Sequence, residues 1–150
     1  MIKNAFILVG GLGKRLGKLT KNTPKPLLKI NSIPFLDILI RKVLKLKLKK
    51  IYLLCGYKFF KFIKKYHNQY FENTKIICIK EKRKLGTGGA IKNIQKLIKD
   101  NSFVCNGDSI FDIEFKNLHK INLKTNLVFM CCVKNTNYKS NKKLSNLIVN

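Results

Sequence analysis

Ala5-Phe6-Ile7-Leu8-Val9 is an unbroken apolar run that passes directly into Gly10-Gly11-Leu12-Gly13-Lys14-Arg15-Leu16. A short apolar run bounded by turn residues reads as a buried strand. A glycine turn at its carboxyl end narrows the fold to an open α/β sheet, because such sheets bind ligands at their strand ends. Glycine takes up positive φ and lets backbone approach a ligand with no Cβ in the way. Its N–H groups can then face an anion, and Arg15 adds a planar, permanently charged fork suited to phosphate oxygens. This N-terminal segment is read as a nucleotide-phosphate site, against the plainer alternative of a glycine turn that binds nothing.

Two better-known glycine motifs fail on spacing. A dinucleotide fingerprint needs G-x-G-x-x-G, yet counting from Gly11 the sixth position is Leu16. The first carboxylate downstream is Asp37, and Pro24, Pro26 and Pro34 interrupt the stretch before it. A phosphate loop of the form G-x-x-x-x-G-K-[ST] would place glycine at Leu8 and a hydroxyl residue at Arg15.

Beyond the glycine turn, strand-like and helix-like segments alternate. Residues 35–44 and 59–66 carry apolar side chains at helical spacing, and residues 89–98 read as a helix entered through Gly86-Thr87-Gly88. Apolar runs at 51–55, 75–80, 102–105 and 127–133 read as further strands. The period-two stretch Lys45-Leu46-Lys47-Leu48-Lys49 is read as a helix end with solvated lysines. Alternating β and α segments with short continuous apolar strands predict a mainly parallel sheet covered on both faces. The expected fold class is α/β, a Rossmann-like three-layer α/β/α arrangement. A length of 150 residues suits one domain, spanning 1–150, and 45% hydrophobic residues suffice for its core.

Charge is less informative than its size suggests. Lys and Arg number 32 against 7 Asp and Glu, a formal net charge of +25. Any polyanion would be attracted, with an affinity that falls steeply with salt. The lysines are spread from Lys3 to Lys143, however, and Lys, Asn and Ile are abundant together, as A/T-rich codons produce. No nucleic-acid module signature is present, so no specific nucleic-acid partner is expected. No run of about 18 apolar residues suggests a membrane span, and Met1-Ile2-Lys3-Asn4 lacks a signal-peptide cleavage site. Cys55, Cys78, Cys105, Cys131 and Cys132 show no C-x-x-C spacing and lie in or beside apolar runs. Buried free thiols in a reducing cytoplasm are favoured over a zinc site or a cysteine nucleophile.

Three features should converge at the carboxyl ends of the strands. The first is the glycine loop with Arg15, followed by Pro24-Lys25-Pro26-Leu27, whose prolines are expected to hold the Lys25 backbone extended and aim its ammonium at phosphate. A proline turn with a solvated lysine is the alternative. The second is Glu81 with Leu85-Gly86-Thr87-Gly88-Gly89-Ala90, where small residues at a helix start let a flat base lie against backbone; a flexible helix entry is the alternative. The third is Asn106-Gly107-Asp108, an aspartate at a strand end that suits Mg²⁺ together with phosphate oxygens. Asp112 is read as capping a segment that starts near Phe111, and His67 and His119 as surface residues.

The order G-G-x-G-x-R-L, P-K-P-L, L-G-T-G-G-A, N-G-D resembles the sugar-1-phosphate nucleotidyltransferases over the whole chain. The details of residues 85–91 and 106–109 look most like guanylyltransferases acting on D-glycero-D-manno-heptose 1-phosphate, with mannose-1-phosphate guanylyltransferases close behind. The resemblance implies a nucleotide-diphospho-sugar transferase fold and transfer of a nucleotidyl group, GMP by this likeness, from a nucleoside triphosphate to a sugar 1-phosphate. Carried over by position, Gly10, Gly11, Gly13 and Arg15 would hold the triphosphate, and Lys25 would neutralise charge on the phosphates, making Arg15 and Lys25 the catalytic pair. Glu81, Gly86, Thr87 and Gly88 would belong to the nucleotide site, and Asp108 would bind Mg²⁺. Lys14 stands where the family usually has threonine, and Val9 where it has alanine. The family continues into a glutamate-lysine segment and a second metal-binding aspartate, whereas this chain ends at Leu147-Ile148-Val149-Asn150, so a missing C-terminal sugar-phosphate part is expected. An unpaired strand there would invite self-association into a homo-oligomer. A non-catalytic nucleotide- or nucleotide-sugar-binding module, and a thymidylyl-, uridylyl- or cytidylyltransferase of the same family, are the alternatives.

Overall fold

A computed structural model of the chain describes residues 2–118. The strand expected at 127–133, the apolar segment at 147–150, His119, Cys131 and Cys132 lie outside the described residues. In chain order the elements are β1 (Asn4–Leu8), α1 (Lys18–Asn22), β2 (Lys29–Ile30), β3 (Ile33–Pro34), α2 (Phe35–Leu44), β4 (Lys50–Cys55), α3 (Phe59–Tyr66), β5 (Tyr70–Phe71), β6 (Thr74–Lys80), α4 (Gly86–Asn93), β7 (Ser102–Asn106) and α5 (Phe115–Leu118).

The main sheet has the order β5-β6-β4-β1-β7. β1 pairs in parallel with β4 on one side, Ala5 opposite Ile51, and with β7 on the other, Leu8 opposite Asn106. β6 runs parallel to β4, and among the described strands of this sheet only the two-residue β5 is antiparallel. The chain builds outward from β1 through β4 to β6, then returns to the opposite side of β1 with β7. That reversal opens a crevice beyond the carboxyl ends of β1 and β7, where open α/β sheets bind ligands.

Alternation along the strands divides the interior in two. Ala5, Ile7 and Val9 face one side and pack with Leu36, Leu39, Ile40 and Val43 of α2 and Phe62 and Tyr66 of α3. Phe6 faces the other side with Tyr52, Leu54, Ala90 and Ile94, its ring stacked on Tyr52 at 5.0 Å between centroids. Helices therefore cover both faces, as the unbroken apolar strands require.

Three local expectations change. α4 begins at Gly86 and ends at Asn93, with a 3₁₀ turn over Gln95–Leu97, in place of one helix over 89–98. Ile94 leaves helical geometry as it buries against the second core. The alternating stretch 45–49 is a turn beyond α2, in which Leu46 and Leu48 are buried while Lys45, Lys47 and Lys49 stay in solvent. His67 is half-buried: its Nδ1 accepts the Cys78 N–H at 3.1 Å, supplying a partner that the two-residue β5 cannot reach.

Candidate functional site

Beyond β1 the chain stays tied to the sheet for two more residues. Val9 N–H donates to the Leu54 carbonyl at 3.0 Å, and the Gly10 carbonyl accepts Tyr57 N–H at 3.2 Å. Gly13, at φ +64°, then turns the chain into a 3₁₀ turn over Lys14–Leu16. Its carbonyl accepts Leu16 N–H at 3.0 Å and the Thr20 hydroxyl at 2.9 Å. Thr20 is almost fully buried, and a Cβ on Gly13 would stand 2.9 Å from its methyl carbon. Tyr57 completes the brace by donating its hydroxyl to the Lys21 carbonyl at 2.7 Å. A lone threonine seven residues beyond Gly13 matches no motif, so its role emerges only from the structure.

Lys25 departs from its expected extended backbone. It opens a 3₁₀ turn over Lys25–Leu27, with Leu27 N–H donating to the Pro24 carbonyl at 2.8 Å. Pro26 is tolerated there because the first N–H groups of a helical turn have no internal partner to lose. From this turn the Lys25 ammonium reaches Asp108 and donates to its Oδ2 at 2.9 Å, with both side chains about 40% exposed. Asp108 is delivered by Gly107, whose N–H donates to the Leu8 carbonyl at 2.8 Å where β7 and β1 end together. The hydrogen bond from Lys25 holds the Asp108 carboxyl below the usual aspartate range, so it is ionised at neutral pH.

Glu81 continues β6 by one residue, donating its N–H to the Cys55 carbonyl at 2.8 Å. Its carboxylate leans over the glycine loop, and a Cβ on Gly10 would come within 2.9 Å of Oε1. Burial raises the Glu81 carboxyl, opposed by a hydrogen bond from the Leu85 backbone.

These elements enclose an open cleft of about 490 Å³. Gly10, Gly11 and Gly13 form one wall, Glu81, Gly86 and Thr87 another, and Lys25 and Asp108 close it across the strand ends. Leu8, Leu12, Leu85 and Ala90 supply apolar surface, the usual balance of a small-molecule site. Arg15 and Gly88, the remaining members of the sequence-derived set, do not line it; Arg15 is exposed on the 3₁₀ turn. Lys14 and Lys84 do line it, and the spacing of neither singles it out in the sequence.

Asp112, expected as a cap, instead pairs with Lys42 at 3.2 Å, and α5 starts three residues later at Phe115. Cys55 and Cys78 are buried and Cys105 is half-buried, and all three are free thiols, as expected. No group of three or more His, Cys, Asp or Glu side chains able to hold a metal occurs among the described residues. Nor is any of their helices long and apolar enough to cross a membrane.

A nucleotidyl transferase family model matches residues 4–141. The D-glycero-alpha-D-manno-heptose 1-phosphate guanylyltransferase of Campylobacter jejuni is 43% identical over 114 residues, 76% of this chain and 51% of that protein. The mannose-1-phosphate guanyltransferase of Aspergillus oryzae is 37% identical over 126 residues, 80% of this chain and 34% of that one. Among solved structures, HddC from Yersinia pseudotuberculosis complexed with GMP-PN superposes with a TM-score of 0.69 at 35% identity, covering 79% of this chain and 53% of that one. This chain thus spans about half the length of the heptose-phosphate enzyme and a third of the mannose-phosphate one. The four ordered motifs, the α/β/α fold and these matches agree: the chain belongs to the nucleotidyl transferase family.

Proposed function

We propose that this chain forms the nucleotide-binding part of a cytoplasmic sugar-1-phosphate guanylyltransferase. The reaction moves GMP from GTP to a heptose or mannose 1-phosphate and releases pyrophosphate. One observation carries the reading: a lysine ammonium and an ionised aspartate meet at 2.9 Å across a glycine-walled cleft at the switch point of the sheet. Phosphoryl transfer asks little covalent chemistry of a protein and depends on positioning and charge. In the proposed step an oxygen of the sugar phosphate attacks the α-phosphorus as the bond to the β-phosphate oxygen breaks. Lys25 balances charge on the phosphates, and Gly10, Gly11 and Gly13 let backbone close around them. Arg15 and Gly88 keep the roles implied by the resemblance, from just outside the cleft lining.

Asp108 fits Mg²⁺ by its chemistry: it is an ionised, exposed carboxylate at a phosphate site, and Mg²⁺ needs only one or two carboxylates beside phosphate oxygens and water. When bound, the ion would draw phosphate oxygens together and offset their charge. An exposed ion pair is worth only about 0–1 kcal/mol, so Lys25 and Asp108 exchange each other for phosphate and metal at little cost. Glu81 supports guanine as the base, because a carboxylate accepts two hydrogen bonds and the guanine edge offers N1–H and N2–H donors. The guanylyltransferase relatives support the same base, and the free thiols suit a reducing compartment.

The test is thermal melting of the full chain with Mg²⁺ and each nucleoside triphosphate. GTP should raise the melting temperature most, since a ligand at a hundredfold its Kd adds about 2.7 kcal/mol to the folded state. No shift with millimolar GTP, UTP, CTP or dTTP would remove the nucleotide site. Pyrophosphate release on adding mannose or heptose 1-phosphate then separates catalysis from binding alone.

A further inference from the structure

Tyr57 stands outside the cleft lining, yet it holds both ends of the glycine loop. Its N–H donates to the Gly10 carbonyl at 3.2 Å, where the loop leaves β1. Its hydroxyl lies 2.7 Å from the Lys21 carbonyl and 3.1 Å from the Thr20 carbonyl, where the loop ends in α1. The segment before α3 is built for this approach. A Cβ on Gly56 would stand 2.9 Å from the Gly10 carbonyl oxygen, so a side chain there would push the two segments apart. Lys58 follows at φ +50°, in the left-handed region, with its ammonium 5.5 Å from the centre of the Tyr57 ring. α1 has little of its own to hold it in place. It is five residues long, too short to persist alone. Thr20 is the one side chain it buries, while Leu19 is 65% exposed. Because the Thr20 hydroxyl ties α1 back to the Gly13 carbonyl, Gly10, Tyr57, α1 and Gly13 are joined in one closed circuit of hydrogen bonds. Within it, Gly11 and Gly17 would meet nothing within 4 Å of an added Cβ, so the loop takes its shape from its fastened ends.

We infer that Tyr57 is a positioning residue, whose hydroxyl fastens the far end of the glycine loop to the sheet and so holds the glycine wall in the form that receives the nucleotide phosphates. The inference rests on the nucleotide site proposed above. Tyr57 acts through backbone carbonyls and not on the ligand. Without its hydroxyl the last carbonyls of α1 can turn to water, and the Gly13 wall moves with α1 through Thr20. Closed loop and bound nucleotide then support each other, since a ligand that binds only one form shifts the population toward it.

The experiment compares the full chain with Tyr57→Phe, which keeps the ring and removes only the hydroxyl. Amide hydrogen exchange, read by peptide mass, reports local opening directly. Exchange over residues 11–22 should rise about twofold to tenfold, as for loss of one neutral hydrogen bond. Peptides of β4 and β6 should keep the parent's rates, which also shows that the variant folds. Saturating GTP with Mg²⁺ should return the loop to the parent's protection. GTP affinity, measured by calorimetry, should fall by no more than the factor by which exchange rises. Guanosine, which has no phosphates, should bind both proteins equally, whereas a merely structural tyrosine would move both ligands or neither. Unchanged exchange over 11–22, a rise spread over the whole sheet, or equal losses for GTP and guanosine overturns the role. If the parent binds GTP and the variant binds it as tightly, only the Tyr57 assignment fails. If the parent binds no nucleotide, the proposed function fails as well.

Discussion

Gly107 shows how tightly one atom can constrain this site. A Cβ there would run into Val9 Cγ1 and stand 3.0 Å from the Leu8 carbonyl, both fixed by the central strand. Gly107→Ala should cost about 1–3 kcal/mol, the range for overpacking a dense interior, read as a lower urea midpoint with an unchanged slope. Because Asp108 follows directly, the same variant should weaken the Mg²⁺ dependence of GTP binding; a variant as stable as the parent would show that β7 can shift to make room. Glu81 tests the base. Glu81→Gln keeps an acceptor for Leu85 N–H but loses the paired carboxylate oxygens. GTP affinity should fall about tenfold or more while ITP, which lacks the exocyclic amine, loses less. Equal losses for the two nucleotides would take Glu81 off the guanine edge. At this scale the sequence shows which residues are chemically able, but not which way they point. Arg15 reads as the better phosphate ligand by type, yet Lys14 lines the cleft and Arg15 does not, a placement set by the turn that begins at Gly13 and not by residue type.

Among the elements, legibility tracked length and periodicity. α2 and α3 occupy 35–44 and 59–66 as their apolar spacing predicts, and β1, β4, β6 and β7 agree to within a residue or so at each end. The hairpin β2–β3 and the edge strand β5 have two residues per strand, too few to show a period. Their turns rest on positive φ at Asn31, Ser32 and Glu72, of which only Asn is a common left-handed residue. The α2–α3 contact was equally hidden. Tyr66, fully buried at the end of α3, donates to Asp37 Oδ1 at 2.6 Å in the first turn of α2, and Lys65 pairs with the other oxygen at 3.0 Å. Burial and the Asp37 carboxylate push the Tyr66 hydroxyl well above its ordinary range, so it remains a donor at any working pH. Tyr66→Phe should cost about 1.5–3 kcal/mol, the range for a hydrogen bond to a charged group, and no loss in urea unfolding would mean that Lys65 alone satisfies Asp37. On β7, burial pushes the Cys105 thiol up to about 12. At pH 8 that lowers its thiolate fraction about a thousandfold below an ordinary cysteine. Its iodoacetamide labelling, read by peptide mass, should be very slow in the folded chain at pH 8, rise in urea, and in the folded state climb steadily with pH well past the range where an ordinary cysteine levels off. Rapid labelling at pH 8 would show that β7 opens to solvent.

For the whole molecule, the governing quantity is the imbalance of 32 basic against 7 acidic side chains. In each of the ion pairs Lys3–Asp100, Lys25–Asp108, Lys42–Asp112 and Lys65–Asp37 at least one partner is 40% or more exposed. Such pairs contribute only about 0–1 kcal/mol each. With 32 basic against 7 acidic side chains, most of the positive charge has no acidic counterpart, and the sum of its repulsions opposes the compact state. Screening should therefore stabilise this protein, the reverse of the response of a fold held by surface salt bridges. The Debye length shrinks from about 30 Å at 0.01 M salt to about 10 Å at 0.1 M, so most of the gain should come within that tenfold change. The expected observation is a melting temperature that climbs with sodium chloride over this range and then levels off. Anion binding in the cleft offers a competing cause, and Lys14→Ala separates the two. A field of +25 barely notices one lysine, so a general effect keeps its salt slope in the variant, whereas a cleft-bound anion would lose much of it. A melting temperature that falls as salt is added would mean that the few ion pairs outweigh the repulsion, and that charge is arranged more favourably than its sum implies.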